Sequence, residues 1–528
     1  MIEKNSESNK IIQSIAAGAT MSKDMLQDLL TISAQWKPQG YDKNIEQRRR
    51  FLNGNQTQDL VNKLKKEFPR TWGKMSPTTV NYTKLYADQS ANSYKTPPAR
   101  QVLSESGDVL DDGRAEDFIE MIRRSNIDRI MLDAERICMV AKTVFLRVGI
   151  NQASMYSGRP FVEVVPFWPS DVYVIPSPLD PSDISLSCAL MARITGPEGV
   201  NGGGQWFEVW TRPGEPGDYG PWSVDHISLA TGDSRKPFGS DDAEYMLDRL
   251  PWVSFNDGHT QGTPYLDVNR DLTELQQNIN SAYTDVMFTV KMQAHAEIVY
   301  SGDSGREADF IGGPGQVLTI GANESMSTLN YGVDDTQLNT IHDLVKQSAL
   351  TNRISPDSFT ADQSNVQSGI SRVIANIPQA EARQERSAIY KEMEQRHLMP
   401  VMAQVSDEWA GTSIGDAVEY LVTFPEPIIY EDLTDKQNRA VMAAENGMIS
   451  PARAAVEAGW YESIDEAVDA GLADAIGAGR AVPDMPTFEA EDLAGVTDAL
   501  TLARIEAATA GGEAVSYTHL TLPTIYSV

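Results

Sequence analysis

The chain has 528 residues, with 44 Lys and Arg against 74 Asp and Glu and a formal charge of −30 at pH 7. That length exceeds one ordinary core, so several packed units are expected, and the acidic surplus repels phosphate backbones over most of the surface, which argues against a protein that grips nucleic acid. A composition of 41% hydrophobic and 22% charged residues is globular, and no apolar run approaches the roughly 20 residues that span a bilayer.

On composition alone the acidity serves solubility. The sharper reading, a channel wall past which DNA slides without sticking, needs independent support. Met1 to Lys10 is polar, and the short apolar patch Ile11 to Ala17 lacks a cleavage pattern, so export by a signal peptide is not expected. Met25, Leu29 and Ile32 lie at helical spacing within Met21 to Trp36, ahead of the stop Pro38-Gln39-Gly40. A second helix is expected over Asn44 to Leu52. Its Arg48-Arg49-Arg50 run reads first as a solvated face or an intersubunit salt-bridge set, with a nucleic-acid contact as the alternative. Further helices are expected over Val80 to Tyr94 and, as one or two, over Ala115 to Ala141.

The pattern then turns to strands: Val144 to Ile150, Phe161 to Val165, Val172 to Ile175, Ala189 to Ile194 and Trp206 to Trp210. Gly202-Gly203-Gly204 lies between the last two; without a following Gly-Lys-Ser/Thr it reads as a hairpin tip rather than a phosphate loop. Cys138 and Cys188, the two cysteines, sit in apolar surroundings and read as buried thiols in a reducing compartment.

From Thr263-Pro264, read as N-cap and first helical position, Val268, Leu272, Leu275, Ile279, Tyr283, Val286 and Val290 form one stripe of a long helix. Asn269, Glu274, Gln277, Asn280 and Asp285 fall on its other faces, toward copies of itself or toward water. Short β segments follow at Glu297 to Tyr300, Gln316 to Ile320 and Met326 to Tyr331, around Gly312-Gly313-Pro314-Gly315. A helix over Thr336 to Asn352, a polar loop Ser355 to Gly369 and a charged helix from about Pro378 to Trp409 complete the series. Ser450-Pro451 starts a small helix closed near Gly459, Ser463 to Glu466 forms a capping box, and Glu489 to Ala510 reads as helix. Val515 to Thr524 can be written, codon by codon, as a string that resembles a transposase-based sequencing adapter. Residues 515–528 are therefore set aside, and the natural C-terminus is expected to lie beyond Ala514.

The order helix, small β module, helix, polar loop, long helix resembles the core of tailed-bacteriophage portal proteins, siphophage-like. Gln367-Ser368-Gly369-Ile370-Ser371-Arg372 is the most family-like local stretch, supported by Arg50-Phe51-Leu52-Asn53-Gly54, Asn81 to Pro98, and Val165-Pro166 to Pro176. The resemblance implies an α+β subunit: wing 1–262, first stem helix 263–293, clip 294–334, second stem helix 335–354, tunnel loop 355–372, long helix and returning wing strand 373–431, and helical crown 432–514. It implies a ring of about twelve copies at one capsid vertex of the virion, assembled in the bacterial cytoplasm and passing double-stranded DNA inward under the terminase large subunit and outward at ejection. Major capsid and scaffold proteins and head-tail connectors are the other implied partners. Ser364, Asn365, Gln367 and Arg372 would lie near DNA, Arg372 alternatively pairing with a neighbouring acid. Asp303, Arg306, Glu307 and Asp309 would meet the motor or connector. No catalytic residue, cofactor, metal or membrane contact is implied.

An enzyme reading has less support. The chain lacks His-Glu-x-x-His, Cys-x-x-Cys, a Walker lysine and Gly-x-Ser-x-Gly. His226, His259, His295, His342 and His397 are scattered, and Asp180 with Asp183, or Asp334 with Asp335, read as turns and caps before they read as ligands of a metal-dependent hydrolase. Another virion adaptor or scaffold component is the remaining alternative.

Overall fold

The computed structural model describes residues 21–110, 112–151, 161–195, 205–215, 218–235, 247–260, 262–268, 271–294, 297–301, 325–329, 335–355, 369–410, 414, 418–425, 437, 440–444, 446–447 and 449–459. The chain divides into two compact units, Met1–Asp362 with Pro378–Pro427, and Gln363–Ile377 with Ile428–Val528. The fold is α+β.

In the first unit, α1 (Lys23–Ser33) is capped by Ser22, whose side chain accepts from Met25 N. After it come α2 (Tyr41–Leu52), α3 (Thr57–Glu67), α4 (Tyr82–Ser90), β1 (Ala99–Ser104), α5 (Gly113–Arg124) and α6 (Ile127–Ala141). The expected Ala115 to Ala141 helix is thus two helices, broken where Asn126 turns left-handed at φ 53°. The sequence reading missed α3 and β1.

The strands β2 (Thr143–Ile150), β3 (Val162–Phe167), β4 (Val172–Ile175), β5 (Ala189–Thr195) and β6 (Gln205–Thr211) fall where the sequence places them, within about two residues at each end. The short strands β7 (Gly214–Glu215) and β8 (Asp218–Tyr219) pair only with each other, and β9 (Ser223–Ser228), β10 (Ser234–Arg235) and β11 (Trp252–Asn256) complete two antiparallel sheets, ordered β10-β9-β6-β5-β4 and β11-β2-β3. The larger sheet is a middle layer, and its period-2 alternation explains why. Met191, Phe207 and Val209 face α1 through Leu26, Leu29 and Ile32, whereas Leu190, Ala192 and Trp210 face Phe145, Trp252, Tyr41 and Ile45.

Between the two sheets Glu208 is 1% exposed. Arg147 of β2 donates Nε to its Oε1 at 3.0 Å and sets Nη2 2.8 Å from Oε2, Trp210 Nε1 donates at 2.7 Å, and His226 Nε2 lies at 3.3 Å. Burial alone would raise this carboxyl, but Arg147 and the other donors outweigh it and hold it at about 2.

A second core lies where α5 and α6 meet β2, β3 and the C-terminal part of this unit, through Phe118, Met131, Leu146, Val164, Phe255, Met402 and Val422. There β14 (Val418–Thr423) returns to pair with β1, Ala99 opposite Thr423 and Ser104 opposite Val418. The helix ahead of it, α9 (Gly369–Met393), passes through a π turn, Glu394–Leu398, into α10 (Met399–Ala410). The π turn places Glu394 inside at 0% exposure, where Tyr94 Oη donates at 2.6 Å and Arg100 Nε at 2.9 Å, Arg100 also reaching Asp128 at 2.6 Å.

Two expectations are corrected here. The segment Thr263 to Val268 is not helical: Tyr265 is buried in the sheet core, donating Oη to Val172 O at 2.9 Å and accepting from Val174 N, and Val268 packs beside it. Val268, buried in the sheet core four residues before Leu272, imitated the start of the helical stripe, and the helix begins at Asp271. The charged helix starts earlier than the expected Pro378, since α9 begins at Gly369 and runs through Pro378, giving up the single N–H bond that proline cannot make.

In the second unit, α11 (Pro451–Glu457) starts as expected, with Ser450 accepting from Arg453 N and proline in the first turn. Ala440, Ala444, Ala454 and Ala458 form its small core with Ile449.

Candidate assembly element

The helix–hairpin–helix series is present. It consists of α7 (Asp271–Ala294), a hairpin of β12 (Glu297–Ser301) and β13 (Ser325–Leu329) with Glu297 opposite Leu329, and α8 (Asp335–Thr351), which packs on α7. The N-terminal half of α7 is anchored by polar groups four residues apart. Gln276 Oε1 accepts from Thr83 N at 2.9 Å, Asn280 Oδ1 from Val80 N at 3.0 Å, and Thr284 Oγ1 from Thr78 N at 3.0 Å. Gln276 Nε2 donates to Val80 O at 2.7 Å and to Asn280 Oδ1 at 3.1 Å, and Asn280 Nδ2 donates to Gln56 Oε1 at 2.6 Å. Gln56 Nε2 donates in turn to Asn81 Oδ1 at 2.9 Å. Residues 78–83 form no ladder with a strand here, so these side chains satisfy backbone groups that burial would otherwise orphan.

Asn280, expected on an outward face, is 1% exposed. Its sequence signal was the Gln276, Asn280, Thr284 spacing of i, i+4, i+8, which sets one helix face.

The other half of α7 differs. From Asp285 to Met292 no residue is fully buried in the subunit, although Val286, Met287, Phe288, Val290 and Met292 are apolar. Met287 is 49% exposed, Val290 43%, and Leu338 near the start of α8 40%. Past its last turn α8 closes with Arg353 left-handed at φ 55°, Arg353 N donating to Leu350 O and Ile354 N to Ala349 O, and Ile354 buried against Tyr86 and Met139.

Of the residues singled out from the sequence, Ser364, Asn365, Gln367, Asp303, Arg306, Glu307 and Asp309 lie outside the described residues, as does the Gly312 to Ile320 stretch. Arg372 stands in the first turn of α9 rather than in a loop. The Arg48-Arg49-Arg50 run is spent within the subunit: Arg48 Nη1 donates to Val140 O at 2.5 Å, Arg49 pairs with Asp171 at 2.8 Å, and Arg50 with Asp59 at 2.9 Å. Neither nucleic acid nor a neighbouring subunit is needed to account for them.

Asp180 Oδ1 accepts from Ser182 N, and Asp183 Oδ1 from Ser185 N, so both are turn caps. Among the described residues no group of three His, Cys, Asp or Glu could hold a metal, and no helix is long and apolar enough to cross a membrane. Both cysteines are buried and free, and burial pushes both thiols up.

No family model and no curated protein matches this sequence. Among solved structures, one described as "Neck of empty GTA particle computed with C6 symmetry" is similar over 71% of this chain and 88% of its own, at 12% identity and a TM-score of 0.31, a likeness too slight to carry an argument about this chain.

Proposed function

We propose that this chain is a structural subunit of a phage-type particle, and within that class the portal: a ring at one capsid vertex through which DNA is packaged and ejected. The observation that supports it most is the division of α7. Its first half is bound into the subunit by buried amides, while its second half, with α8, leaves Met287, Val290 and Leu338 uncovered. A helix pair fixed at one end and apolar at the other is suited to packing against copies of itself. In such a ring the net charge of −30 acquires a role, because an acidic wall avoids the counterion-release adhesion that would stall DNA. The subunit would make and break no bonds, and terminase large subunit, capsid, scaffold and connector contacts belong to the same reading.

The test is native mass spectrometry of the purified chain with negative-stain class averages. A closed ring of about a dozen copies with a central hole supports the proposal. A monomer at every concentration refutes it.

A further inference from the structure

Although the chain carries a formal charge of −30, the stretch 65–74 holds four cations, Lys65, Lys66, Arg70 and Lys74, against one acid, Glu67. Lys65 and Lys66 stand in the last turn of α3, where the helix dipole favours them, but Arg70 and Lys74 lie beyond that helix. All four are exposed. Lys65 Nζ lies 4.6 Å from the centroid of the Trp72 ring, and among the described residues none of the four forms an ion pair. The Arg48-Arg49-Arg50 run, in contrast, ends wholly on groups of its own subunit.

The stretch lies along α7. Lys63 Nζ donates to Asn278 Oδ1 at 2.6 Å, and the charges of Lys63 and Glu67 both act on Asp285, so the basic end of α3 reaches the point where the anchored half of α7 stops. The chain then returns antiparallel to α7, with Thr78 at Thr284, Val80 at Asn280 and Thr83 at Gln276. Followed back from Thr78, it leads past Thr284 toward Met287 and Val290, which are 49% and 43% exposed. The unpaired cations therefore border the uncovered apolar half of α7.

We propose that Lys65, Lys66, Arg70 and Lys74 form the cationic rim of a contact between copies of this chain, receiving Asp and Glu side chains of a second copy while Met287 and Val290 meet its apolar surface. This rests on the ring reading above and names the charges that orient it. Contacts of this kind combine an apolar centre with a polar border. Copies of charge −30 repel one another, and cations set at the contact offset that repulsion locally and steer the partner's carboxylates to it. A DNA duplex would also meet the cations, but its phosphates would leave Met287 and Val290 bare.

The test compares the full chain with Lys66→Glu/Arg70→Glu and with a control, Lys43→Glu/Arg129→Glu, which alters exposed positions on α2 and α6 and changes the net charge equally. The concentration at which rings form is read by native mass spectrometry at low and high salt. Lys66→Glu/Arg70→Glu is expected to raise it about tenfold at low salt, with the subunit thermal midpoint unchanged, and by less at high salt, where exposed pairs are screened. Carbodiimide coupling of rings assembled from light and heavy-isotope chains is expected to join Lys65, Lys66 or Lys74 to a carboxylate of the other isotope. If Lys66→Glu/Arg70→Glu assembles like the wild type, if the control costs as much, or if no mixed-isotope link forms at these lysines, the proposal is overturned while the ring reading stands. Duplex DNA that binds the wild-type subunit but not Lys66→Glu/Arg70→Glu, with assembly unchanged, assigns the patch to phosphate and overturns it as well. A wild type that stays monomeric removes the ring reading itself, and this contact with it.

Discussion

Replacing Asn280 by Ala removes one amide that serves three buried partners. Val80 N loses its acceptor at 3.0 Å, Gln56 Oε1 its donor at 2.6 Å, and Gln276 Nε2 one of two acceptors. Gln276 keeps Val80 O, so two groups are left bare. At roughly 1–2 kcal/mol for each orphaned buried group the loss is about 3 kcal/mol. That loss is local, because Val80 and Gln56 belong to the segments that α7 holds, so hydrogen exchange in a peptide spanning residues 76–83 is the suitable assay. A loss of about 3 kcal/mol corresponds to roughly a hundredfold faster exchange there, with smaller changes in the sheet core around Leu190. Asn280→Asp, which sets a buried carboxylate oxygen against the Gln56 Oε1 acceptor, should lose at least as much. Unchanged exchange over 76–83 in Asn280→Ala would show that the amides do not hold the helix, and would remove the anchored half of the assembly argument.

Met287→Glu combined with Val290→Glu should abolish the ring and leave the far-ultraviolet circular dichroism of the subunit unchanged; a ring of normal size would refute the assembly surface. Glu208, held at about 2 against an ordinary 4.5, binds fewer protons folded than unfolded, so its contribution is complete above pH 4.5 and is lost as pH falls toward 2. Over that window the wild type should lose about 3 kcal/mol more than Glu208→Gln in urea titrations, and parallel curves would contradict the cited burial and pairing. Lys37, lowered to about 8 by burial against the Tyr173 and Tyr265 rings despite Asp42 at 2.8 Å, gives the same direction of pH dependence in a higher window, although its charged form is the one that burial disfavours. The unfolded chain holds that proton longer, so stability should rise between pH 8 and 10.5 in the wild type and less in Lys37→Met. Arg353→Gly should stabilise by about 0.5–1 kcal/mol by relieving the left-handed backbone, less any contribution from the exposed Glu385 pair, as read from the denaturation midpoint.

Elements whose identity depends on near neighbours were legible in the sequence. Apolar, β-prone runs set between Gly and Pro clusters located β2, β4, β5 and β6, because strands buried in a core read as nearly continuous apolar segments. Ser450-Pro451 marked its helix start by a local bond to Arg453 N. The helix–hairpin–helix order was also read correctly, and the two thiols were placed in apolar surroundings where the structure has them.

Only the tertiary structure decided which polar groups meet. Glu208 and Arg147, Glu394 and Tyr94, and Asn280 and Val80 are separated by up to 300 residues along the chain. Separation in sequence likewise hid the pairing of β1 with β14 and let Val268, buried in the sheet core, pass for the first residue of a helical stripe. Periodicity states which face of an element is buried, since that follows from backbone geometry. It does not state what the face is buried against, and the partner decides whether an amide such as Asn280 faces water or anchors a helix.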